Sequence, residues 1–79
     1  MEATLRYDRE ADAAYIMLRA LPYAYGEDID RERRIDYAAD GTPIGVELLS
    51  VSRGVNLDDL PERATVAHLL ETHHLKVFA

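Results

Sequence analysis

The chain contains 79 residues, carries a net charge of −6 and has no cysteine. This length allows one small domain that buries only about 60% of its unfolded surface, and no disulfide or thiolate metal site can supplement that core. We therefore expect a homo-oligomer. The acidic charge disfavours non-specific nucleic-acid binding, because neutralising phosphates requires lysine and arginine.

The first predicted element is a hairpin around an acidic turn. Residues 4–7 alternate polar and apolar, which is the period of a half-buried strand, and residues 13–18 form the second strand. Asp8 can open the five-residue turn between them through a hydrogen bond to the backbone. The side chains predicted to face the core are Ala14, Ile16 and Leu18. Tyr15 and Met17 lie on the opposite face, and since both faces are apolar we expect a partner copy to cover it.

Three further strands are predicted in the middle of the chain. Residues 23–30 alternate again, and Gly26 within them indicates a bulge or a close backbone approach. Residues 34–37 form the next strand. Asp40-Gly41 then predicts a hairpin, because glycine adopts a positive φ without steric cost, and residues 44–49 complete it. The inward-facing side chains of the last two strands are predicted to be Ile35, Tyr37, Ile44, Val46 and Leu48.

The C-terminal part predicts a helix over residues 58–74. The carboxylates near Asp58 suit the positive end of a helix, and Pro61 is acceptable in a first helical turn. Residues 75–79 are either a tail or a short strand. The apolar stripe, at helical spacing, is predicted to comprise Val66, Leu69, Leu70, a partly buried His73 and Val77.

Together these elements predict one domain, residues 1–79, of the α+β class. Residues 3–55 form an antiparallel β-meander of about five short strands, and the single C-terminal helix packs on one face of that sheet.

Several spaced motifs give the chain a resemblance to a known family. The run Tyr7-Asp8-x-Glu10-Ala11-Asp12-Ala13-x-Tyr15-Ile16 resembles the small bacterial and archaeal proteins of the domain of unknown function 2283 family. The similarity continues through Ile35-Asp36-Tyr37, Asp40-Gly41 and Gly45-Val46-Glu47-Leu48-Leu49, and it covers about residues 4–52. The resemblance implies a strand, an Asp-Gly turn and a further strand, with no established enzymatic activity. It also implies that some relatives act as the antitoxin-side partner of a small toxin-like protein encoded beside them.

The acidic turn offers the only metal candidates among the carboxylates, namely Asp8, Glu10 and Asp12. They occupy the first, third and fifth positions of a possible calcium loop. An EF-hand loop also requires glycine at its sixth position and a bidentate glutamate at its twelfth, where this chain has Ala13 and Arg19. We interpret the segment as a hairpin turn whose carboxylates cap backbone amides, with a cation site of another kind as the alternative.

The three histidines do not match a zinc pair on one helical face, which requires i, i+4 spacing. His68 and His73 are five residues apart, and His74 follows His73 directly. We therefore predict no histidine metal site within one chain.

Arg31, Arg33 and Arg34 form the one basic cluster. Arginine forks match phosphate well, so an RNA or DNA site is one interpretation. The acidic surroundings favour the other interpretation, a solvated hairpin tip with cross-strand ion pairs.

The sequence contains no cysteine nucleophile, serine elbow, phosphate loop or dinucleotide-binding motif, so it predicts no catalytic residue and no cofactor.

The first hypothesis is a non-enzymatic protein-binding module that self-associates through its sheet and partners a small basic toxin as an antitoxin would. One alternative is a small metal-dependent enzyme that combines the acidic turn with a histidine of another subunit. The other is an RNA- or DNA-binding accessory protein. The predicted interface residues, chosen because tyrosine joins apolar area to a polar end, are Tyr15, Met17, Tyr23 and Tyr25.

No window approaches the 18 or so apolar residues that span a membrane, and residues 1–6 lack the regions of a signal peptide. We expect a soluble cytoplasmic protein without membrane contact.

Overall fold

A computed structural model describes residues 2–78, which form two layers. The first layer is a five-stranded antiparallel sheet, and the second contains one α-helix and a two-stranded parallel sheet. The strands of the large sheet are β1 (Thr4–Asp8), β2 (Ala13–Met17), β3 (Tyr25–Asp28), β4 (Arg33–Tyr37) and β5 (Pro43–Leu49). The second layer comprises a 3-10 turn (Val51–Arg53), β6 (Val55–Asn56), α1 (Arg63–Thr72) and β7 (Val77–Phe78). The predicted α+β class, with an antiparallel sheet and a C-terminal helix, is confirmed.

The strand order, β1-β2-β5-β4-β3, departs from a continuous meander at one point. β1 and β2 form one hairpin, and β3, β4 and β5 follow one another as the second set, but β2 pairs with β5 instead of β3. In this register Ile16 lies opposite Val46, and neither side chain is exposed. The order is reasonable physically, because it puts the two most apolar strands in the centre and leaves the short, acidic β3 at an edge.

The core lies between one face of the sheet, the inner face, and the second layer. The inner face alternates as predicted, because successive side chains of a strand point to opposite sides. Val66 and Leu70 of α1 are fully buried against it. The most deeply buried sheet residues are Ala14, Ile16, Val46 and Leu48.

The Asp40-Gly41 hairpin prediction is confirmed. Gly41 has φ +87°, and the Asp40 carboxylate accepts the backbone N–H of Thr42 at 3.0 Å. The contacts with Thr42 lower the pKa of Asp40 below its ordinary value. The sheet irregularity lies between Asp36 and Tyr37, where β4 shifts its register against β5, and not at Gly26.

The helix is shorter than the predicted 58–74, because the backbone before it is not helical. Asp59 and Glu62 both have positive φ, and the Asp58 N–H bonds the Asn56 side chain at 2.9 Å, which makes a local turn. The carboxylates expected to cap a helix near residue 58 therefore belong to a turn, and α1 begins only at Arg63.

The helix also ends before His73, so the prediction that His73 packs partly buried is wrong. Its ring is exposed, and its backbone N–H bonds the carbonyl of Leu69 as the helix closes. His74 then turns the chain with φ 59°. Of the two interpretations for residues 75–79, the short strand is found at Val77–Phe78, while Ala79 lies outside the described residues.

None of the helices in residues 2–78 combines the length and the apolar character that crossing a bilayer requires.

Candidate functional site

The second face of the large sheet, here called the outer face, points away from α1. Residues directly opposite one another in an antiparallel sheet share a face, so the pairing register defines its rows. The central row, read from β1 to β3, is Arg6, Tyr15, Glu47, Arg34 and Asp28. The row beside it is Thr4, Met17, Gly45, Asp36 and Gly26, and on the other side lie Asp8, Ala13 and Leu49. The outer face thus crosses all five strands.

Tyr15 leans across the outer face and is held by a single polar contact. Its hydroxyl donates to the Asp36 carboxylate at 2.9 Å, which joins β2 to β4 over the intervening β5. The ring passes directly above Gly45, where a Cβ would collide with the tyrosine hydroxyl. Gly45 is therefore required for space, because any side chain there would displace Tyr15.

Arg34 makes a second set of contacts on the outer face. Its guanidinium donates to Asp28 at 3.0 Å, lies 3.5 Å from Asp36, and reaches the Tyr23 hydroxyl at 3.3 Å. A Cβ on Gly26 would lie 2.5 Å from the Arg34 guanidinium, so this glycine also leaves room for a side chain. The close approach predicted at Gly26 is thus made by a side chain.

The two contacts meet at Asp36, which gives a connected polar network on an open surface. Burial, followed by the hydrogen bond to Asp36, raises the pKa of Tyr15 to about 12. Hydrogen bonds to Tyr23 and Asp28 raise the pKa of Arg34 above its ordinary value. A phenol held protonated and a guanidinium held charged do not exchange protons near neutral pH. The arrangement therefore fixes the positions of these side chains on the outer face.

The outer face is more polar than Tyr15 and Met17 predict by themselves. Its three rows contain two arginines and four carboxylates, because β1, β3, β4 and β5 contribute charged side chains. Met17 and Leu49, near opposite ends of the two central strands, remain 41% and 42% exposed. Apolar area, an aromatic ring and an excess of negative charge thus occur together on this surface.

The four predicted interface residues do not all lie on this face. Tyr15 and Met17 belong to it, and the Tyr23 hydroxyl reaches it through Arg34. Tyr25 points to the other side of β3, where its ring stacks on Tyr37 with centroids 5.1 Å apart.

The acidic turn is occupied by structural contacts. Asp8 accepts the backbone N–H of Ala11 at 3.1 Å, as a turn-opening aspartate does. Asp12 accepts both the backbone N–H and the hydroxyl of Ser52, at 3.0 and 2.7 Å, and so ties the hairpin to the 3-10 turn. Glu10 is exposed. Within residues 2–78 no three His, Cys, Asp or Glu side chains come close enough to hold a metal ion, and this includes His68, His73 and His74.

The basic cluster is divided by the alternation of β4. Arg34 forms the expected cross-strand ion pair with Asp28 on the outer face. Arg33 points to the inner side and is only 9% exposed, so its description as part of a solvated tip is wrong. Its guanidinium donates to the carbonyls of Asn56 and Asp58 at 3.0 and 2.5 Å, and to Asp30 at 2.9 Å. The three arginines therefore do not form one phosphate-binding surface.

Sequence reasoning predicted ion pairing at Arg34 but missed the hydrogen bond between Tyr15 and Asp36 and the contact between Arg34 and Tyr23. The signal that could have located them was the pair Gly26 and Gly45, since glycine inside a strand marks a close approach. Which side chain approaches each glycine depends on strand pairing, which the sequence pattern did not define.

The fold and this face define a two-layer α+β domain with an open antiparallel sheet surface. The chain belongs to the family described as "Protein of unknown function (DUF2283)", whose model matches residues 4–52 and so covers the whole large sheet. No curated protein and no solved structure matches the chain.

Proposed function

We propose that this protein is a non-enzymatic binding module that uses the outer face to bind a small basic protein, in the manner of an antitoxin. The observation that carries the proposal is the contrast between the two sides of the same strands. Ile16 and Val46 are completely buried on the inner face, whereas Met17 and Leu49 on the outer face remain more than two-fifths exposed. Exposed apolar side chains within a polar surround are typical of protein-binding surfaces.

Charge supports a basic partner. Four carboxylates and two arginines lie on the outer face, and the whole chain has a net charge of −6. A complementary positive surface would be attracted over distance, which mainly increases the association rate. Two copies of this face would instead bring like charges together, so the face suits a different protein better than a second copy of itself.

The fixed network supports binding in a second way. Tyr15 is held by Asp36, and Arg34 is held by Asp28 and Tyr23. A side chain that is already ordered loses less conformational entropy when a partner covers it, and such ordering costs about 0.5–1.5 kcal/mol for each mobile side chain.

No specific observation supports either alternative function. An inter-subunit metal site would need the carboxylates of Asp8 and Asp12. Asp8 already accepts a backbone hydrogen bond within the turn, and Asp12 accepts two hydrogen bonds from Ser52. The arginines that a nucleic-acid site would need are divided between two faces of the sheet.

The test is co-expression with the product of the adjacent gene, followed by co-purification and measurement of Kd. The main variant is Met17→Arg, which adds bulk and positive charge to the outer face. The matched control is Leu21→Arg, because Leu21 is 45% exposed but lies in the β2–β3 connection, outside the three rows of the outer face. We expect Met17→Arg to weaken binding at least about tenfold and Leu21→Arg to change it less than about twofold, since single anchor residues near an interface centre cost 2 kcal/mol or more.

Two results would refute the proposal. One is an adjacent gene product that is not retained by the wild-type chain. The other is equal weakening by both variants, which would remove the outer face as the binding surface. The association rate should also fall steeply with salt, because charge attraction is screened over about 10 Å at 0.1 M ionic strength.

A further inference from the structure

The two edges of the large sheet, β1 and β3, differ in how they are protected against further strand pairing. An edge strand presents unpaired N–H and C=O groups, and proteins usually shield it with charge, proline or a bulge. β3 has only four residues and ends in Glu27 and Asp28, so a second β3 beside it would bring like charges together. β1 has five residues without proline, lysine or bulge. Within residues 2–78, the backbone of β1 makes no hydrogen bond outside its ladder with β2.

The side chains of β1 are complementary to themselves. Arg6 and Asp8 lie on the outer face, one on each side of Tyr7, which points to the inner face. An antiparallel pairing of two β1 strands about a two-fold axis at Tyr7 places Arg6 of each copy opposite Asp8 of the other. Directly opposed side chains have Cβ atoms about 4.5–5.5 Å apart, which is within reach of an ion pair.

Other registers lose this complementarity. An axis at Arg6 would put the two arginines opposite each other. A slip by one residue would put Arg6 opposite Tyr7 and join the outer face of one copy to the inner face of the other. The register centred on Tyr7 is thus favoured by charge, because it pairs Arg6 with Asp8 twice.

We propose that two copies of this chain pair through β1 in this register, so that two five-stranded sheets become one continuous ten-stranded sheet. Asp8 uses Oδ1 to accept the Ala11 N–H, and its second oxygen can accept from Arg6 of the other copy. Tyr7 meets its equivalent on the inner face, where aromatic cross-strand pairs are stabilising. Leu5 and Tyr7 face the core but are only partly buried, and the second copy would cover their open side.

This self-association goes beyond the proposed binding function, because it uses the sheet edge and leaves the outer face accessible. Its expected strength is modest. A contact made through one five-residue strand buries less than the roughly 1,000 Å² that stable interfaces exceed, so the dimer should form in the micromolar range or above.

The test is sedimentation equilibrium of the full chain from about 10 µM to about 1 mM, a range that spans micromolar to millimolar Kd. The expected average mass rises from 8.9 kDa towards twice that value. R6E places two carboxylates opposite each other at both symmetry-related pairs, and D8R places two arginines there. Each variant alone should weaken the dimer at least about tenfold, whereas an equimolar mixture of the two should restore it, because every cross-strand pair is then of opposite charge.

The control is R31E, which makes the same charge change at the β3–β4 tip and should leave dimerisation within about twofold of wild type. Circular dichroism tests whether D8R still folds without its turn cap, because restoration in the mixture requires two folded variants. A mass that stays at 8.9 kDa at the highest concentration overturns the proposal. The proposal also fails if both variants fold but their mixture does not restore the dimer. It fails as well if M17R abolishes the dimer while R6E leaves it intact.

Discussion

Arg33 joins β4 to the turn before the helix, and replacing it by methionine should strongly destabilise the protein. Methionine keeps an apolar stem of similar reach but removes the guanidinium. Two of the three lost hydrogen bonds go to the carbonyls of Asn56 and Asp58, and Arg33 itself is 9% exposed. The third goes to Asp30, whose side chain is 48% exposed, so it contributes less.

The magnitude follows from these contacts. A hydrogen bond to a charged group contributes about 1.5–3 kcal/mol, and an acceptor that stays buried without a partner costs a further 1–3 kcal/mol. Allowing for partial hydration of both carbonyls, Arg33→Met should lower the free energy of unfolding by about 3–4 kcal/mol. A domain of this size has about 4–12 kcal/mol in total, and Tm should fall by roughly 12–30 °C.

Urea unfolding followed by circular dichroism measures this change. Arg31→Met is the matched control, because Arg31 lies exposed at the same tip and should change stability by no more than about 0.5 kcal/mol. Arg33→Lys should fall between the two, since an ammonium keeps the charge but lacks the planar fork. A loss below about 1 kcal/mol for Arg33→Met would refute the assigned role.

Arg33→Met should also change how the stability of the protein depends on acid pH. The backbone N–H of Glu32, followed by the side chain of Arg33, lowers the pKa of Asp30. A lowered carboxyl pKa contributes stability above the ordinary value near 3.8, and that contribution is lost as the pH falls below it. Stability should therefore decline less between pH 5 and pH 3 in Arg33→Met than in the wild-type chain, in unfolding curves measured at each pH.

Three further predictions concern the outer face and the acidic turn. Tyr15, whose pKa is raised to about 12, stabilises the fold below its ordinary pKa of 10.0, and this contribution is lost as the pH rises between those values. After discounting for solvent screening it is worth about 1 kcal/mol, and Tyr15→Phe should abolish this alkaline decline in unfolding measurements. Gly45→Ala should displace the tyrosine hydroxyl from Asp36 and cost about 1–2 kcal/mol, seen as a shift of the tyrosine titration towards its ordinary pKa. Asp12→Ala should cost about 2–3 kcal/mol in urea unfolding, because it loses both bonds to Ser52 and strains a residue with φ 53°. Asp12→Asn should cost less, because asparagine tolerates that conformation; equal losses would exclude the backbone contribution.

The local features of this fold were predictable because local chemistry determines them. Alternation identified the faces of β2, since a strand period of two needs no knowledge of distant residues. Asp40-Gly41 identified its turn, because the positive φ at Gly41 depends on the residue itself. The apolar spacing predicted a C-terminal helix. It did not predict the first helical residue, because Asp59 and Glu62 adopt left-handed backbone conformations that the sequence pattern does not indicate.

The candidate site depended on strand order. The acidic hairpin pointed to Tyr15 and Met17, but the partners of Tyr15 lie on β4 and β5, which reach it only because β2 pairs with β5. A sheet in which β2 paired with β3 would have placed other side chains beside it. The polar character of the outer face therefore required knowledge of the whole sheet.

By itself the sequence located the five strands of the large sheet, the residues of β2 and β5 that face the core, and one tight turn. These properties depend on residues within a few positions of each other. Only the tertiary structure decided that Arg33 is buried, because its carbonyl partners lie 23 and 25 residues further along the chain. It also decided that β1 is an exposed edge, since whether a strand has one neighbour or two is set by the packing of the entire sheet.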